Sequence, residues 1–326
     1  MNFRISNRAK QKMNRWGALK KPFVFLCDFE AEQIEICALE ESAKQGLLWR
    51  TKYLSNFSPN PRMEDFTWRA IPVSYEYYLN AFNEVHSAIM RGDSFLLNLT
   101  MPTRIETNLT LEDFCHRSSS PYLVYFKNKF VSFSPESFVR INAKGCISSF
   151  PMKGTIDADI EGAADLLKNN VKEMAEHHTI VDLIRNDLSM VATGVEMVRF
   201  AYLEEIKSNN KRLLQMSSEI KGQLPSDWRE NLGNIFEKLL PAGSITGAPK
   251  SKTLQIILGA ENDKRAFYTG VFGVFDGEQF DSCVLIRFIE QQENGLVYKS
   301  GGGITHLSKP EEEYEELINK VYAPFS

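Results

Sequence analysis

The order of its expected elements constrains this chain more than any single motif does: strands follow strands, a block of helices intervenes, and strands return. Phe23 to Phe29 and Gln33 to Ala38 are rich in β-branched and aromatic residues and read as two early strands. Arg50 to Pro72, with its prolines, serines and asparagines, reads as a linker or loop. Apolar residues recur at helical spacing from Tyr75 to Arg91, with Gly92 as a stop, and a strand from Ser94 to Met101 follows. Tyr122 to Phe126, Phe130 to Phe133, Phe138 to Asn142 and Cys146 to Phe150 then form an expected meander. Helices are expected over Ile160 to Lys168, Val171 to Leu188 with Asn169 and Asn170 as candidate caps, Leu232 to Leu240, and Lys250 to Leu258. Strands return at Phe267 to Phe275, Gln279 to Glu290 and Gly295 to Ser300, before a last helix from Pro310 to Val321. Strands grouped apart from helices predict an α+β fold and argue against a doubly wound parallel sheet.

At 326 residues and 43% hydrophobic, the chain can bury a large core without covalent staples. Its 38 basic and 42 acidic residues leave a formal net charge of -4, which argues against a nucleic-acid footprint and for a small ligand. The basic stretch Arg4 to Lys21 precedes an apolar run, Phe23 to Cys27, too short for a signal peptide or a membrane span. A cytoplasmic protein with no membrane partner is expected. Cys27, Cys37, Cys115, Cys146 and Cys283 are scattered without CxxC spacing and are expected to be reduced and structural.

The meander ends at Pro151-Met152-Lys153-Gly154-Thr155, which sets one amine between a helix-breaking Pro and a flexible Gly-Thr. Such a lysine is either a solvated turn charge or a nucleophile, and its company favours the second. Glu173 with Glu176, and Glu313 with Glu316, each lie three residues apart on an expected helix and so share a face. They could be solvated, Lys172 pairing with Glu176 and Lys320 with Glu316. If instead the two pairs converge, they repel unless a cation sits between them, and oxygen-only donors favour Mg²⁺ completed by water and an anionic substrate.

Two segments are glycine-rich, Pro241 to Lys250 (PAGSITGAPK, which contains Gly243) and Gly301-Gly302-Gly303. Neither has the spacing of a phosphate loop or a dinucleotide fingerprint. Their backbones could cradle a carboxylate or simply make tight turns. Arg287 lies in the apolar run Cys283 to Ile289, where it is a candidate carboxylate clamp if it faces inward and a surface charge if it faces outward. Tyr268 could add a hydroxyl. Glu136, in Ser134-Pro135-Glu136, sits in a turn between strands, where it either trades a proton with a leaving hydroxyl or is a surface acid. His177 and His178 are adjacent, point to different helix faces, and are taken as structural.

Gly92-Asp93 with Asn98-Leu99, Ser134-Pro135-Glu136, Lys153-Gly154-Thr155, Glu173 to Leu188, Pro241 to Lys250, Tyr268-Thr269-Gly270, Arg287, Gly301 to Ile304, and Glu313 with Glu316 occur in an order that resembles the chorismate-utilising enzymes. That family includes the anthranilate, aminodeoxychorismate, isochorismate and salicylate synthases. PMKGT at the lysine is similar to the PIKGT of aminodeoxychorismate synthases, where anthranilate synthases have PIAGT. The resemblance implies a sandwich of two antiparallel β-sheets flanked by helices, with chorismate in the cleft between. A reduced N-terminal strand region, residues 1–72, would pack on a chorismate-binding catalytic domain, residues 73–326.

It further implies Mg²⁺ held by Glu176 and Glu316, with Glu173 and Glu313 acting through waters. Arg287, Tyr268 and the amides of Gly301, Gly302 and Gly303 would hold a carboxylate, with Thr246, Thr155 and Gly243 at the same ligand. Neutral Lys153 would add at C2 while Glu136 protonates the departing 4-hydroxyl, and ammonia would then add at C4 to give 4-amino-4-deoxychorismate. A neutral amine requires that burial lower the lysine pKa. Ammonia would come from a glutamine amidotransferase subunit, since no glutaminase segment is visible in this sequence, nor is the lyase that would release pyruvate. Anthranilate formation, or chorismate binding without turnover, are the alternatives. Three positions depart from the family: Leu96 where GDxxQ has Gln, Gln215 where His is common, and His306 where Asp follows the glycines. Glu40-Glu41-Ser42 resembles part of a tryptophan feedback motif, but with much of the family's N-terminal region missing, an incomplete pocket is expected.

Overall fold

The computed structural model describes residues 4–60, 65–208, 211–247, 249–323 and 325. The N-terminal half runs α1 (Asn7–Ala18), β1 (Phe23–Cys27), β2 (Ile34–Ala38), β3 (Leu47–Arg50), β4 (Arg69–Pro72), α2 (Tyr75–Met90), β5 (Leu97–Glu106), α3 (Leu111–Arg117), β6 (Leu123–Phe126), β7 (Phe130–Ser132), β8 (Ser137–Ile141), β9 (Cys146–Ser149) and β10 (Met152–Asp157). It continues through α4 (Ala163–Lys168), α5 (Val171–Ser189), β11 (Thr193–Ser208), β12 (Lys211–Gln223), α6 (Leu232–Leu239), α7 (Gly243–Thr246), α8 (Lys250–Ala260), β13 (Val271–Phe275), β14 (Phe280–Val284), β15 (Phe288–Gln292), β16 (Gly295–Ile304) and α9 (Pro310–Asn319).

The strands form two sheets. One has the order β10-β12-β9-β8-β14-β13-β1-β2, with β11 also paired to β12; the other runs β3-β6-β7-β15-β16-β5-β4. The pairs are antiparallel, as between β1 and β13 or β16 and β5. This is the α+β sandwich expected from the sequence. The first sheet is covered on both faces, and β1 shows why its strands read as continuous apolar runs. Phe23, Phe25 and Cys27 pack toward the helices, whereas Val24 and Leu26 pack with Val124, Phe130 and Phe288 of the second sheet. All five β1 residues are buried. The N-terminal strands are shared out, β1 and β2 in the first sheet and β3 and β4 in the second.

Local signals account for several helix ends. Ser74 accepts a hydrogen bond from the Tyr77 amide at the start of α2, and Asn170 accepts one from the Glu173 amide at the start of α5. Gly92, with φ of +82°, follows α2. Other elements differ from expectation. The basic N-terminal stretch contains α1, which buries Ala9, Met13 and Gly17 and meets α6, where the Gly233 amide donates to Asn14 Oδ1 at 2.7 Å. The β11–β12 hairpin was not expected, because polar residues fall on both of its faces and mask the alternation that marks a strand. The Arg50 to Pro72 stretch contains β4, and its residues 61–64 lie outside the described residues. The expected strand from Gln279 to Glu290 is two strands, β14 and β15, in different sheets.

That break positions the site. The chain passes from the second sheet to the first between β7 and β8, at residues 133–136, and back between β14 and β15, at residues 285–287. The two crossings are hydrogen-bonded side by side: the Phe133 amide donates to the Arg287 carbonyl at 3.0 Å, and the Val284 amide to the Glu136 carbonyl at 3.2 Å. Glu136 and Arg287 therefore stand together where the sheets part. Among the described residues no helix is long and apolar enough to cross a membrane. The five cysteines are free, and all but Cys146 are buried.

Candidate active site

A cavity of about 150 Å³ opens at this parting. Glu136, Lys153, Ser244, Tyr268, Arg287 and Lys320 line it, with Leu96 and Ile180 as apolar wall and Gly301 and Gly303 as backbone floor. A groove of about 370 Å³ beside Trp49 and Leu54 is wider, but gathers no comparable set of charges.

Lys153 sits on β10 and not in the turn that its flanking Pro and Gly suggest. The register of β10 against β12 shifts between Met152 and Thr155, so the strand bulges at the lysine. Gly154 has φ of +82°, and a Cβ there would lie 3.2 Å from Glu173 Oε2. The bulge therefore needs glycine both for its backbone and for close approach to α5. Lys153 Nζ lies 2.6 Å from Glu176 Oε2, with side chains 20% and 5% exposed. Burial pulls the lysine pKa down, but Glu176, Glu316 and Glu173 more than offset it and hold the ammonium above the ordinary lysine range. The expectation that burial lowers this pKa is corrected: the carboxylates win.

The helices that carry the two glutamate pairs, α5 and α9, meet through a lysine. Lys172 on α5 reaches across to α9, placing its Nζ 3.1 Å from Glu313 Oε1, instead of pairing with Glu176 on its own helix. Ser308 donates to the same oxygen at 2.7 Å. Glu316 pairs with Lys320 at 2.6 Å, one turn along α9. Burial would raise the Glu316 pKa, but Lys320, Lys153 and Lys172 outweigh it and bring it to about 2. Burial raises the Glu173 pKa, and Glu176 and Glu316 add to that against Lys153. At Gly302 a Cβ would sit 3.3 Å from Glu313 Oε2 and 3.9 Å from Glu316 Oε1, so glycine lets β16 approach the two carboxylates of α9.

As they stand, no three acidic, histidine or cysteine side chains among the described residues are close enough together to hold a metal ion. Three lysines balance the charge instead, Lys153 on Glu176, Lys172 on Glu313 and Lys320 on Glu316. Even so, Glu176 Oε1 is buried with no hydrogen-bond partner among the described residues. An orphaned carboxylate oxygen among oxygen-only donors fits a hard divalent cation, once a lysine yields its place.

Glu136 lines the same cavity as Lys153. Ser244 Oγ donates to Glu136 Oε1 at 2.8 Å. Burial raises the Glu136 pKa, and Ser244, Lys153, Arg287 and Lys320 only partly counter it. A carboxyl so placed is suited to carry a proton. Arg287 points into the cavity, and Tyr268 beside it is 3% exposed, its pKa pushed up by burial to about 12. β16 runs on past its pairing with β15, which ends at Lys299, so among the described residues Ser300 to Ile304 has no strand partner on that edge, and Ser300, Gly301 and Gly303 line the cavity.

Other residues singled out in the sequence lie elsewhere. Thr155 is exposed and pairs with Gln215 on β12, away from the cavity. Thr246 is fully buried, and its hydroxyl donates to the Ala242 carbonyl at 3.1 Å. Gly243 packs on α5, where a Cβ would meet Asp187 Oδ2 at 2.6 Å. Ala248 of the same segment lies outside the described residues. Leu96 lines the cavity, whereas His306 is exposed. His177 is fully buried with Nε2 2.7 Å from Ser218 Oγ, a structural contact as expected. Ser42 Oγ accepts from Trp49 Nε1 at 3.1 Å and from Asn56 Nδ2 at 3.0 Å, so the chain's own side chains engage it. Ser244, Lys320 and Ile180 were not singled out. Lys320 was legible as the cation one turn beyond Glu316, but was taken only as its surface partner.

A cleft between antiparallel sheets that collects lysine, arginine and carboxylates belongs to a protein that takes a small polyanion. The family model for chorismate binding enzyme matches residues 13–326, and the chain belongs to that family. It is 48% identical over 316 residues to an uncharacterized PabA-like protein of Pasteurella multocida, covering 96% of this chain and 97% of that one. It is 33% identical over 267 residues to the chloroplastic aminodeoxychorismate synthase of Arabidopsis thaliana, covering 77% of this chain but 29% of that protein. The crystal structure of anthranilate synthase component I from Streptococcus pneumoniae superposes with a TM-score of 0.66 at 26% identity, over 80% of this chain and 60% of that one.

Proposed function

We propose that the protein converts chorismate and ammonia to 4-amino-4-deoxychorismate through a covalent adduct on Lys153, the chemistry of aminodeoxychorismate synthase component I, in para-aminobenzoate and folate synthesis. The observation that carries this reading is the placement of Lys153, which lines the same cavity as Glu136 while its amine lies 2.6 Å from Glu176 Oε2. An alanine at that position, as in the family's anthranilate synthases, would offer no amine. The Arabidopsis relative supports the same reading by its name, and the pneumococcal neighbour keeps anthranilate formation as the alternative.

Chorismate would lie with one carboxylate at Arg287, Tyr268 and the free edge of β16. Glu176 and Glu316 would hold Mg²⁺, with Glu173 and Glu313 acting through waters. A bound Mg²⁺ would supply positive charge that balances both the glutamates and the substrate's carboxylates. Lys153 must first lose its proton, which desolvation favours and the neighbouring carboxylates oppose. The neutral amine then forms a C–N bond at C2, the ring double bonds shift, and the C4–O bond breaks as Glu136 donates its proton, releasing water. Ammonia next bonds at C4, the double bonds shift back, the C2–N bond to Lys153 breaks, and Glu136 takes up the proton released by the new amine. The sum is chorismate plus ammonia giving 4-amino-4-deoxychorismate plus water. Ser244 restrains the Glu136 carboxyl through its hydrogen bond to Oε1. Ammonia would reach the site from a glutamine amidotransferase partner.

Purified protein with chorismate, Mg²⁺ and an ammonium salt, analysed by mass spectrometry, tests this directly. Formation of 4-amino-4-deoxychorismate is expected. Anthranilate with pyruvate would replace the reading with its rival, and bound but unconsumed chorismate would indicate a subunit without turnover.

A further inference from the structure

Arg287 is a desolvated cation held in an unusual way. Its φ is +51°, a left-handed backbone that a residue with a side chain keeps only where the surroundings fix it. Its Nε is buried without a hydrogen-bond partner among the described residues. Burial works against its charge, and three tyrosines stand around it, Tyr298, Tyr268 and Tyr322, the last also with a side-chain hydrogen bond to it. Two of these belong to the framework, since Tyr298 is a core residue of β16 and Tyr268 packs between the sheets.

Tyr322 is different. It lies beyond α9, and the Arg287 Cζ stands 5.2 Å from its ring centroid, within the roughly 6 Å reach of a cation–π contact. The segment carrying it is fastened on both sides. Lys320 Nζ donates to the Gly301 carbonyl at 2.8 Å, the Val321 amide donates to the Ile318 carbonyl at 3.0 Å, and Phe325 packs against Phe114 at 5.5 Å and Phe66 at 5.4 Å. Tyr322 thus presents its ring to the guanidinium directly after two anchored residues, Lys320 and Val321.

We propose that Tyr322 is a positioning residue for the substrate's carboxylate: its ring fixes the guanidinium plane of Arg287 and covers one face, leaving the N–H edge to grip the anion. This deepens the proposed function and rests on the reading that Arg287 holds a carboxylate of chorismate. A guanidinium fixed before binding loses little side-chain freedom when the ligand arrives, and one shielded on its face is drier, so its bond to a carboxylate is stronger. The contribution belongs to binding and not to the bond-making steps at C2 and C4.

The test is calorimetric titration with chorismate and Mg²⁺, alongside steady-state kinetics, of the wild type, Tyr322→Phe and Tyr322→Ala. Tyr322→Ala should weaken chorismate binding and raise KM by about tenfold, with kcat and melting temperature near those of the wild type. Tyr322→Phe, which keeps the ring but loses the hydroxyl's hydrogen bond to Arg287, should show less than half of the affinity change seen in Tyr322→Ala. Unchanged affinity in Tyr322→Ala overturns the proposal, and so does a parallel fall in kcat and melting temperature, which marks a merely structural role. Equal losses in the Phe and Ala variants would assign the effect to the hydroxyl and overturn the role of the ring. If the wild type itself binds no chorismate, the functional reading falls, and this inference with it.

Discussion

Lys153 Nζ and Glu176 Oε2 lie 2.6 Å apart, the amine on a bulged edge strand and the carboxylate on the buried face of α5. The contact joins the candidate nucleophile to the candidate metal site, and it sets the amine's resting state as an ammonium.

Replacing the amine tests its role. Lys153→Ala should lower the rate of 4-amino-4-deoxychorismate formation by about 100-fold or more while leaving chorismate binding within about threefold. Single-turnover kinetics and a binding titration on the same preparation separate the two effects.

Removing the proton carrier should act differently. Glu136→Gln keeps an acceptor for Ser244 but has no proton to donate, so the leaving hydroxyl departs unprotonated. A fall in kcat of about 100-fold with little change in KM is expected, and the loss should not recover at any pH between 6 and 9. A pH–rate profile of the two proteins checks both points.

The lysines that balance the glutamates compete with any cation. Lys172 lies on Glu313 and does not line the cavity. Lys172→Met should therefore bind Mn²⁺, a spectroscopic substitute for Mg²⁺, more tightly than the wild type by about threefold to tenfold, read from the loss of the free-ion paramagnetic resonance signal. Weaker or equal binding would count against the exchange of lysine for metal.

Stability should respond to Asp28. Burial raises its pKa from 3.8 to about 6, against the amides of Gln33 and Glu32, which pull it down. The folded state therefore binds a proton that the unfolded chain has released between about pH 4 and 6, and stability falls as pH rises through that window. Asp28→Asn keeps an oxygen for the Gln33 amide, which lies 3.1 Å from Oδ1. It should raise unfolding free energy by up to about 3 kcal/mol at pH 8, with the gain vanishing below about pH 4. Urea unfolding at both pH values measures it.

The fold was legible where one physical signal dominated. β1 is apolar at every position because it is buried on both faces, and α2 and α5 carry side-chain caps that announce their starts. The β11–β12 hairpin was not legible, since its strands carry charge on both faces and take their order from each other. At the site, the order of the motifs was readable, and so was the sharing of a helix face by each glutamate pair. The meeting of their helices was not, because Glu313 meets Lys172 across 141 positions of sequence. Nor could spacing tell that Arg287 and Glu136 occupy paired crossings between sheets. A strand that changes sheets, as at residues 285–287, looks in sequence like one uninterrupted strand. The sign of the Lys153 shift was missed for a related reason: burial was foreseeable from one residue, but the field of three glutamates comes from two helices distant in the chain.

The central claim is that the Lys153 amine bonds to the substrate. Protein mixed with chorismate and Mg²⁺ without ammonia, quenched within one turnover and mapped by peptide mass spectrometry, tests this most directly. The account predicts that the peptide bearing Lys153 gains the mass of chorismate less one water. An unmodified peptide, from protein that aminates chorismate just as fast when Lys153 is replaced by alanine, would contradict it.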